Sequence, residues 1–166
     1  FLFVRSAQSR PMSLYRAKRI NPELSRLIYR SSGKHREWVN FLLEYMPTID
    51  LVSLNADSML AQFDAMDSVL SRVPWAEDIP DVLFMRYVLP YRVSQEPLEY
   101  FAKNHWRELW ERVKGCDDMR CAVYRLNEWA YEQMKYEPTS RWDQSAEQTL
   151  IRGIGRCEEM AILFIK

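Results

Sequence analysis

The sequence predicts a mainly α-helical chain, and three observations indicate this fold class. Apolar residues recur at three- and four-residue steps over most of the 166 residues, only four residues are glycine, and no segment shows the alternation of a half-buried strand. Hydrophobic residues make up 48% of the chain and charged residues 28%, as in a globular protein rather than a disordered one. We therefore expect helices around an aromatic-rich core.

The first half contains three recognisable helix signals. Asn21-Pro22-Glu23 combines a capping side chain, a proline suited to the first helical position and an acid in the first turn. Helical spacing then predicts a helix over 34–46, which Pro47 ends, and an amphipathic helix over 55–73.

The second half continues the helical pattern. A short apolar element over 82–89 precedes predicted helices over 96–114, with Gly115 as C-cap, and over 117–135. Ser145 followed by Gln148 is a capping-box signature, and it predicts a short helix that ends at Gly153.

The last predicted helix begins at about Gly155 and contains six consecutive apolar residues, 160–165. A helix that is apolar on all sides is normally buried on all sides. Cys157 lies at its start, where the helix dipole and free N–H groups stabilise a thiolate. The preceding glycines permit a positive φ or a close approach of substrate to the backbone. The residues alone leave two interpretations of Cys157 open, a nucleophile or a buried structural cysteine.

Other residue types that can carry chemistry have structural explanations. His105 lies on the apolar face of its helix, which favours a core histidine over a catalytic base, and His35 is predicted at the surface. Glu158 and Glu159 suit the first turn of a helix through the dipole, although an acid–base role is the alternative. We expect Trp129 in the core.

Two further segments have both a functional and a structural interpretation. Trp142 either lines an acyl-binding groove or packs structurally, and 87–93 is either a binding edge or a structural connection.

Three cysteines are an odd number, which argues against a disulfide framework, and Cys116 and Cys121 do not match a zinc pattern. We expect no metal and no cofactor.

The formal net charge is zero but unevenly distributed, since residues 1–37 hold nine Lys and Arg against two acids. A basic segment over 5–36 is typical of a solvated helical face, and nucleic-acid binding is the rival interpretation. We expect no nucleic-acid partner and, because no apolar run approaches the length of a membrane span, no transmembrane helix. The opening residues 1–4 fit either a strand or the tail of a removed signal peptide.

The chain resembles the transglutaminase-like superfamily within the papain-like cysteine enzyme fold. The resemblance rests first on Arg152-Gly-Ile-Gly-Arg-Cys-Glu-Glu-Met-Ala161. It extends to transglutaminase-domain proteins of Bacteroides type through Phe41-Leu-Leu-Glu-Tyr-Met-Pro47, Ile79-Pro80, Tyr87-Val-Leu-Pro-Tyr-Arg-Val93 and Glu96-Pro-Leu98. In order and spacing these motifs cover 40–166.

This resemblance implies an activity. Cys157 would be the catalytic nucleophile of a Cys–His–Asp triad that forms a thioester with a peptide or protein amide, which water or an amine then resolves. Trp142 and Gly155 are candidates for the oxyanion hole or the substrate groove. In the family the His and Asp follow the Cys on strands of a sheet. The resemblance therefore predicts that this sequence is truncated just after the nucleophile motif, and that residues 1–166 are inactive alone because they lack the His and Asp.

The resemblance also implies an organisation and a location. It predicts a helical N-terminal region over 1–95 and, over 96–166, the leading helices of an α+β core whose sheet is missing here. The expected location is extracytoplasmic, either periplasmic or on a surface lipoprotein of a bacterium. The rival hypothesis is a catalytically inactive scaffold or helical interaction module that keeps the fold.

Overall fold

The computed structural model describes residues 14–139 and 142–166, and within them the chain is mainly α-helical, as predicted. The chain forms two compact units, 1–56 and 57–166. The predicted boundary between residues 95 and 96 concerns domain organisation and stays a prediction. The opening residues 1–4 and the start of the basic segment lie outside the described residues.

The first unit contains four described helices: α1 (Leu14–Ile20), α2 (Pro22–Arg30), α3 (Gly33–Tyr45) and α4 (Thr48–Ser53). The predicted start at Asn21 is confirmed, because its side chain accepts a hydrogen bond from the Glu23 N–H at 3.0 Å. The Asn21 amide also donates to the carbonyls of Leu51, at 3.1 Å, and Leu54, at 2.8 Å. One buried asparagine therefore caps α2 and connects it to the end of α4.

The second unit contains α5 (Ala56–Leu70, which begins at the boundary), α6 (Asp81–Leu83), α7 (Phe101–Val113), α8 (Met119–Glu132), α9 (Ala146–Arg152) and α10 (Cys157–Ile165). A 3₁₀ turn spans Ala76–Asp78, and a π-helix spans Phe84–Val88. Two short strands, β1 (Lys135–Tyr136) and β2 (Ile154–Gly155), pair in parallel. The core between α7, α8, α9 and α10 consists of Phe101, Trp129, Ala130, Ala146, Ile162 and Leu163. The prediction that Trp129 lies in the core is confirmed.

The predicted helix over 96–114 begins five residues too early, since α7 starts at Phe101. Pro97 disfavours helical geometry at Glu96, whose fully buried carboxylate instead accepts the N–H groups of Val93, at 2.7 Å, and Ser94, at 2.8 Å. The Lys166 ammonium lies 3.2 Å from the same carboxylate. The helix therefore begins only at Phe101, after a loop that Glu96 stabilises.

The C-terminal end of α7 also differs from the prediction. The C-cap is Lys114, and Gly115 does not take the left-handed conformation. Cys116 and Cys121 form a disulfide across the turn into α8. The odd cysteine count argued wrongly against a disulfide here, because one local pair leaves the third cysteine free.

Candidate active site around Cys157

Cys157 is the first residue of α10, and its thiol is free and exposed. The helix follows from the chain immediately before it, because α9 begins with the predicted capping box at Ser145 and ends at Gly153, where φ is +64°. This left-handed glycine turns the chain into β2, and β2 leads directly into α10. The sequence therefore fixes the position of the thiol through two local signals, a cap and a turn.

Gly155 lies in β2 and does not have a positive φ. Among the described glycines, Gly33 and Gly153 are the two with a positive φ. A Cβ at this position would lie 2.7 Å from the Glu159 Cβ and 2.8 Å from the Met134 Cε. The structure therefore explains this glycine by close packing of side chains against its backbone. Its predicted role in an oxyanion hole stays a prediction.

A groove of about 790 Å³ lies beside Cys157. One wall is the outer face of α10, and the other is the C-terminal end of α8 together with β1. Besides Cys157, the lining residues are Asn127, Tyr131, Glu132, Met134, Lys135, Tyr136, Arg156, Met160, Ala161 and Phe164. The tyrosines Tyr131 and Tyr136 are 74% and 73% exposed.

This groove corrects the expectation that α10 is buried on all sides. Ile162 and Leu163 are buried, but Ala161 and Ile165 are exposed, and Phe164 is half-buried. Uniform hydrophobicity predicted burial of every face, but in the described residues the helix has neighbours on only part of its surface. An apolar helix face is consequently left open at the thiol.

A partly buried ion cluster holds the first turn of α10. The Glu159 carboxylate is fully buried and accepts the Arg156 backbone N–H at 2.8 Å. The Arg156 side chain donates to the same carboxylate from Nε, at 3.1 Å, and from Nη2, at 2.9 Å. Arg156 Nη2 also lies 3.0 Å from Asp143 Oδ1. The Gln144 N–H and the Thr139 hydroxyl donate to Glu159 as well, at 3.2 and 3.3 Å.

The contacts within this cluster shift the pKa values of both Glu159 and Arg156. Burial by itself would raise the pKa of Glu159, but the hydrogen bonds from Arg156 and Gln144 and the charge of Arg156 lower that pKa to about 2. The bond to Glu159 in turn raises the pKa of Arg156 above its ordinary value. Both groups are therefore charged throughout the neutral range. Glu159 therefore holds the helix start, and no pattern in the sequence indicates its contact with Gln144 or the contact of Arg156 with Asp143.

Trp142 lies at a second groove, of about 440 Å³, which Pro97, Asp143, Gln144, Gln148, Ile151 and Arg152 also line. The indole is 70% exposed. Cys157 does not line this groove, and Asp143 on its wall pairs with Arg156 on the wall of the other. The predicted oxyanion or groove role of Trp142 stays a prediction.

Neither histidine lines the groove at Cys157. His105 Nε2 lies 3.0 Å from Glu147 Oε2, and its ring stacks on Phe101 with centroids 4.4 Å apart. Burial would raise the pKa of Glu147, but the hydrogen bond from Asn104 and the contact with His105 lower it overall. His35 belongs to the first unit. Within the described residues, no cluster of three His, Cys, Asp or Glu side chains is arranged to hold a metal ion.

The last part of the chain matches a known protein family. Residues 107–166 match the transglutaminase-like superfamily. The match includes α8, both strands, α9 and α10, and therefore the whole segment that presents Cys157. Neither the curated proteins nor the solved structures contain a significant match to the chain. The Bacteroides-type resemblance over 40–166 stays a prediction.

The described helices of both units include none that is long and apolar enough to cross a membrane. The segment that matches the family, 107–166, contains the end of α7, then α8, α9, α10 and one pair of short strands, and its exposed thiol lies at the first residue of α10.

Proposed function

We propose that Cys157 is the nucleophile of a transglutaminase-like thiol enzyme that acts on peptide or protein amides. The observation that carries this proposal is the free, exposed thiol at the start of α10, within the segment that matches the superfamily. A helix N-terminus favours the thiolate through its dipole and its unbonded N–H groups. We also propose that the Cys157 N–H stabilises an oxyanion formed next to the sulfur.

The proposed reaction proceeds in two steps. The thiolate attacks the amide carbonyl, the C–N bond breaks, and the nitrogen leaves as an amine after it receives a proton, so that a thioester remains on Cys157. Water then attacks the thioester, the C–S bond breaks, and the carboxylic acid is released. An amine in place of water gives transamidation, but we propose hydrolysis as the main outcome.

Both steps require an acid–base group near the sulfur, and the two histidines of the sequence do not line its groove. We propose that a His and an Asp of the natural protein outside residues 1–166 complete the triad. The open apolar face of α10 supports this proposal, because such a face is expected to be covered by further structure. Residues 1–166 alone are then expected to be inactive.

An extracytoplasmic location belongs to the same proposal. The Cys116–Cys121 disulfide supports it, since disulfides persist mainly in oxidising compartments. Cys157 is not part of this disulfide, and its thiol is free for the proposed chemistry.

The test has two parts. The coding region beyond the codon for Lys166 is expected to encode a His in a strand-like segment and then an Asp. The natural full-length protein is expected to hydrolyse peptide amides, and Cys157→Ser to abolish this. A double variant, Cys116→Ser with Cys121→Ser, serves as the control, because it removes the other sulfurs and keeps Cys157. Turnover that survives Cys157→Ser would refute the proposal, and a frame that lacks the His would favour the inactive scaffold.

A further inference from the structure

The Arg156–Glu159 pair lies directly at the proposed nucleophile. Arg156 precedes Cys157 in sequence, caps α10 with its backbone N–H bonded to Glu159, and lines the groove of the thiol. Its guanidinium contacts two carboxylates, Glu159 at 2.9 Å and Asp143 at 3.0 Å. The cation nearest in sequence to the sulfur is therefore held between two anions.

We infer that Glu159 and Asp143 are positioning residues for Cys157, which act through Arg156 by fixing the start of α10 and by setting the charge that the thiol experiences. The inference rests on the proposed function, since it assigns a role around the same sulfur. Glu159 supplies rigidity, because its two oxygens bind the helix start and also the Gln144 and Thr139 donors of the preceding segment. Asp143 supplies the second anchor of the guanidinium, and Ser94 fixes Asp143 with a hydrogen bond of 2.8 Å.

The charge balance has a direct consequence. One cation faces two anions, so the cluster beside Cys157 carries a net negative charge. Removing a carboxylate should therefore favour the thiolate, and removing the guanidinium should disfavour it. The other charged groups of the groove, Glu132 and Lys135, and the exposed Glu158 remain unchanged in these variants.

The experiment measures the rate of iodoacetamide alkylation of Cys157 against pH, in residues 1–166. Glu159→Gln should lower the pH midpoint of the alkylation profile by about 0.5 or more, and Arg156→Gln should raise it by a similar amount. Arg156→Lys keeps the charge, so its midpoint should match the wild-type midpoint. Thermal unfolding should show lower stability for all three variants. A role limited to structure would therefore change stability without giving opposite midpoint shifts.

Two variants keep the test decisive if Glu159→Gln does not fold. Asp143→Asn removes the less buried carboxylate and should lower the midpoint as well. Glu158→Gln removes an exposed carboxylate from the same helical turn, and its shift should be smaller because solvent screens it. Midpoints that move in the same direction for Asp143→Asn and Arg156→Gln, or that do not move, would overturn the inference. Acylation of the full-length protein is a separate measurement, so its failure would refute only the proposed function.

Discussion

Substitution of Gly155 by alanine tests whether packing or substrate approach requires this glycine. The added Cβ would lie 2.7 Å from the Glu159 Cβ, 2.8 Å from the Met134 Cε and 3.0 Å from the Met134 Sδ. Met134 can move, because its thioether is flexible. The Glu159 Cβ cannot move easily, since the carboxylate beyond it is fixed by Arg156 and Gln144.

The expected cost follows from this difference. Overpacking of a filled core costs about 1–3 kcal/mol, and each kcal/mol corresponds to about 2–4 °C in Tm for a chain of this size. We therefore expect Gly155→Ala to lower the Tm by about 4–8 °C, which corresponds to about 2 kcal/mol. In the control, Gly153→Ala, the added Cβ would meet only the Gln133 carbonyl oxygen, at an ordinary contact distance of 3.9 Å, so the positive φ of +64° is the source of its cost, about 1 kcal/mol.

The assay is thermal unfolding followed by circular dichroism at 222 nm, with each glycine variant in wild-type and Met134→Ala backgrounds. Met134→Ala removes part of the clash, so it should recover part of the loss caused by Gly155→Ala and none of the loss caused by Gly153→Ala. If Gly155→Ala unfolds at the wild-type temperature, or if Met134→Ala rescues both variants equally, the packing explanation is wrong.

Three further predictions concern the second unit. Reduction of the Cys116–Cys121 disulfide should cost about 2 kcal/mol of stability and raise the thiols titrated per unfolded chain from one to three, as measured with a chromogenic disulfide. The lowered pKa of Glu159 stabilises the fold fully above its unfolded value of 4.5, and this contribution should be lost as the pH falls from about 4.5 to about 2; acid unfolding of Glu159→Gln should lack that component. Ser145→Ala should lower stability by about 1 kcal/mol in a urea titration, whereas an unchanged midpoint would contradict the capping role.

Local signals predicted much of the fold. Asn21 and Ser145 cap helices, Pro47 follows the end of α3, and Gly153 ends α9, because each effect depends on residues within one turn. The start of α7 could not be predicted in this way. It depends on the Glu96 carboxylate and on Lys166, which is 70 residues away along the chain.

The part of the candidate site that depends on local sequence was predictable. Cys157 at a helix start follows from the neighbouring sequence, and the spacing of Arg156 and Glu159 suits a capping box. The contacts of this pair with Asp143 and Gln144 depend on how α9 folds back before α10, and periodicity contains no such information. Hydrophobicity also gave the wrong burial for α10, because composition does not show which faces of a helix have neighbours.

The central claim is that Cys157 forms an acyl-enzyme, and trapping that intermediate tests it most directly. The natural full-length protein would be mixed with the p-nitrophenyl ester of N-acetylphenylalanine, quenched in acid and examined by intact-mass spectrometry and peptide mapping. The account predicts one acyl group per chain, located on Cys157 and absent from Cys157→Ser. A protein whose Cys157 reacts with iodoacetamide but never acquires the acyl group would contradict the claim.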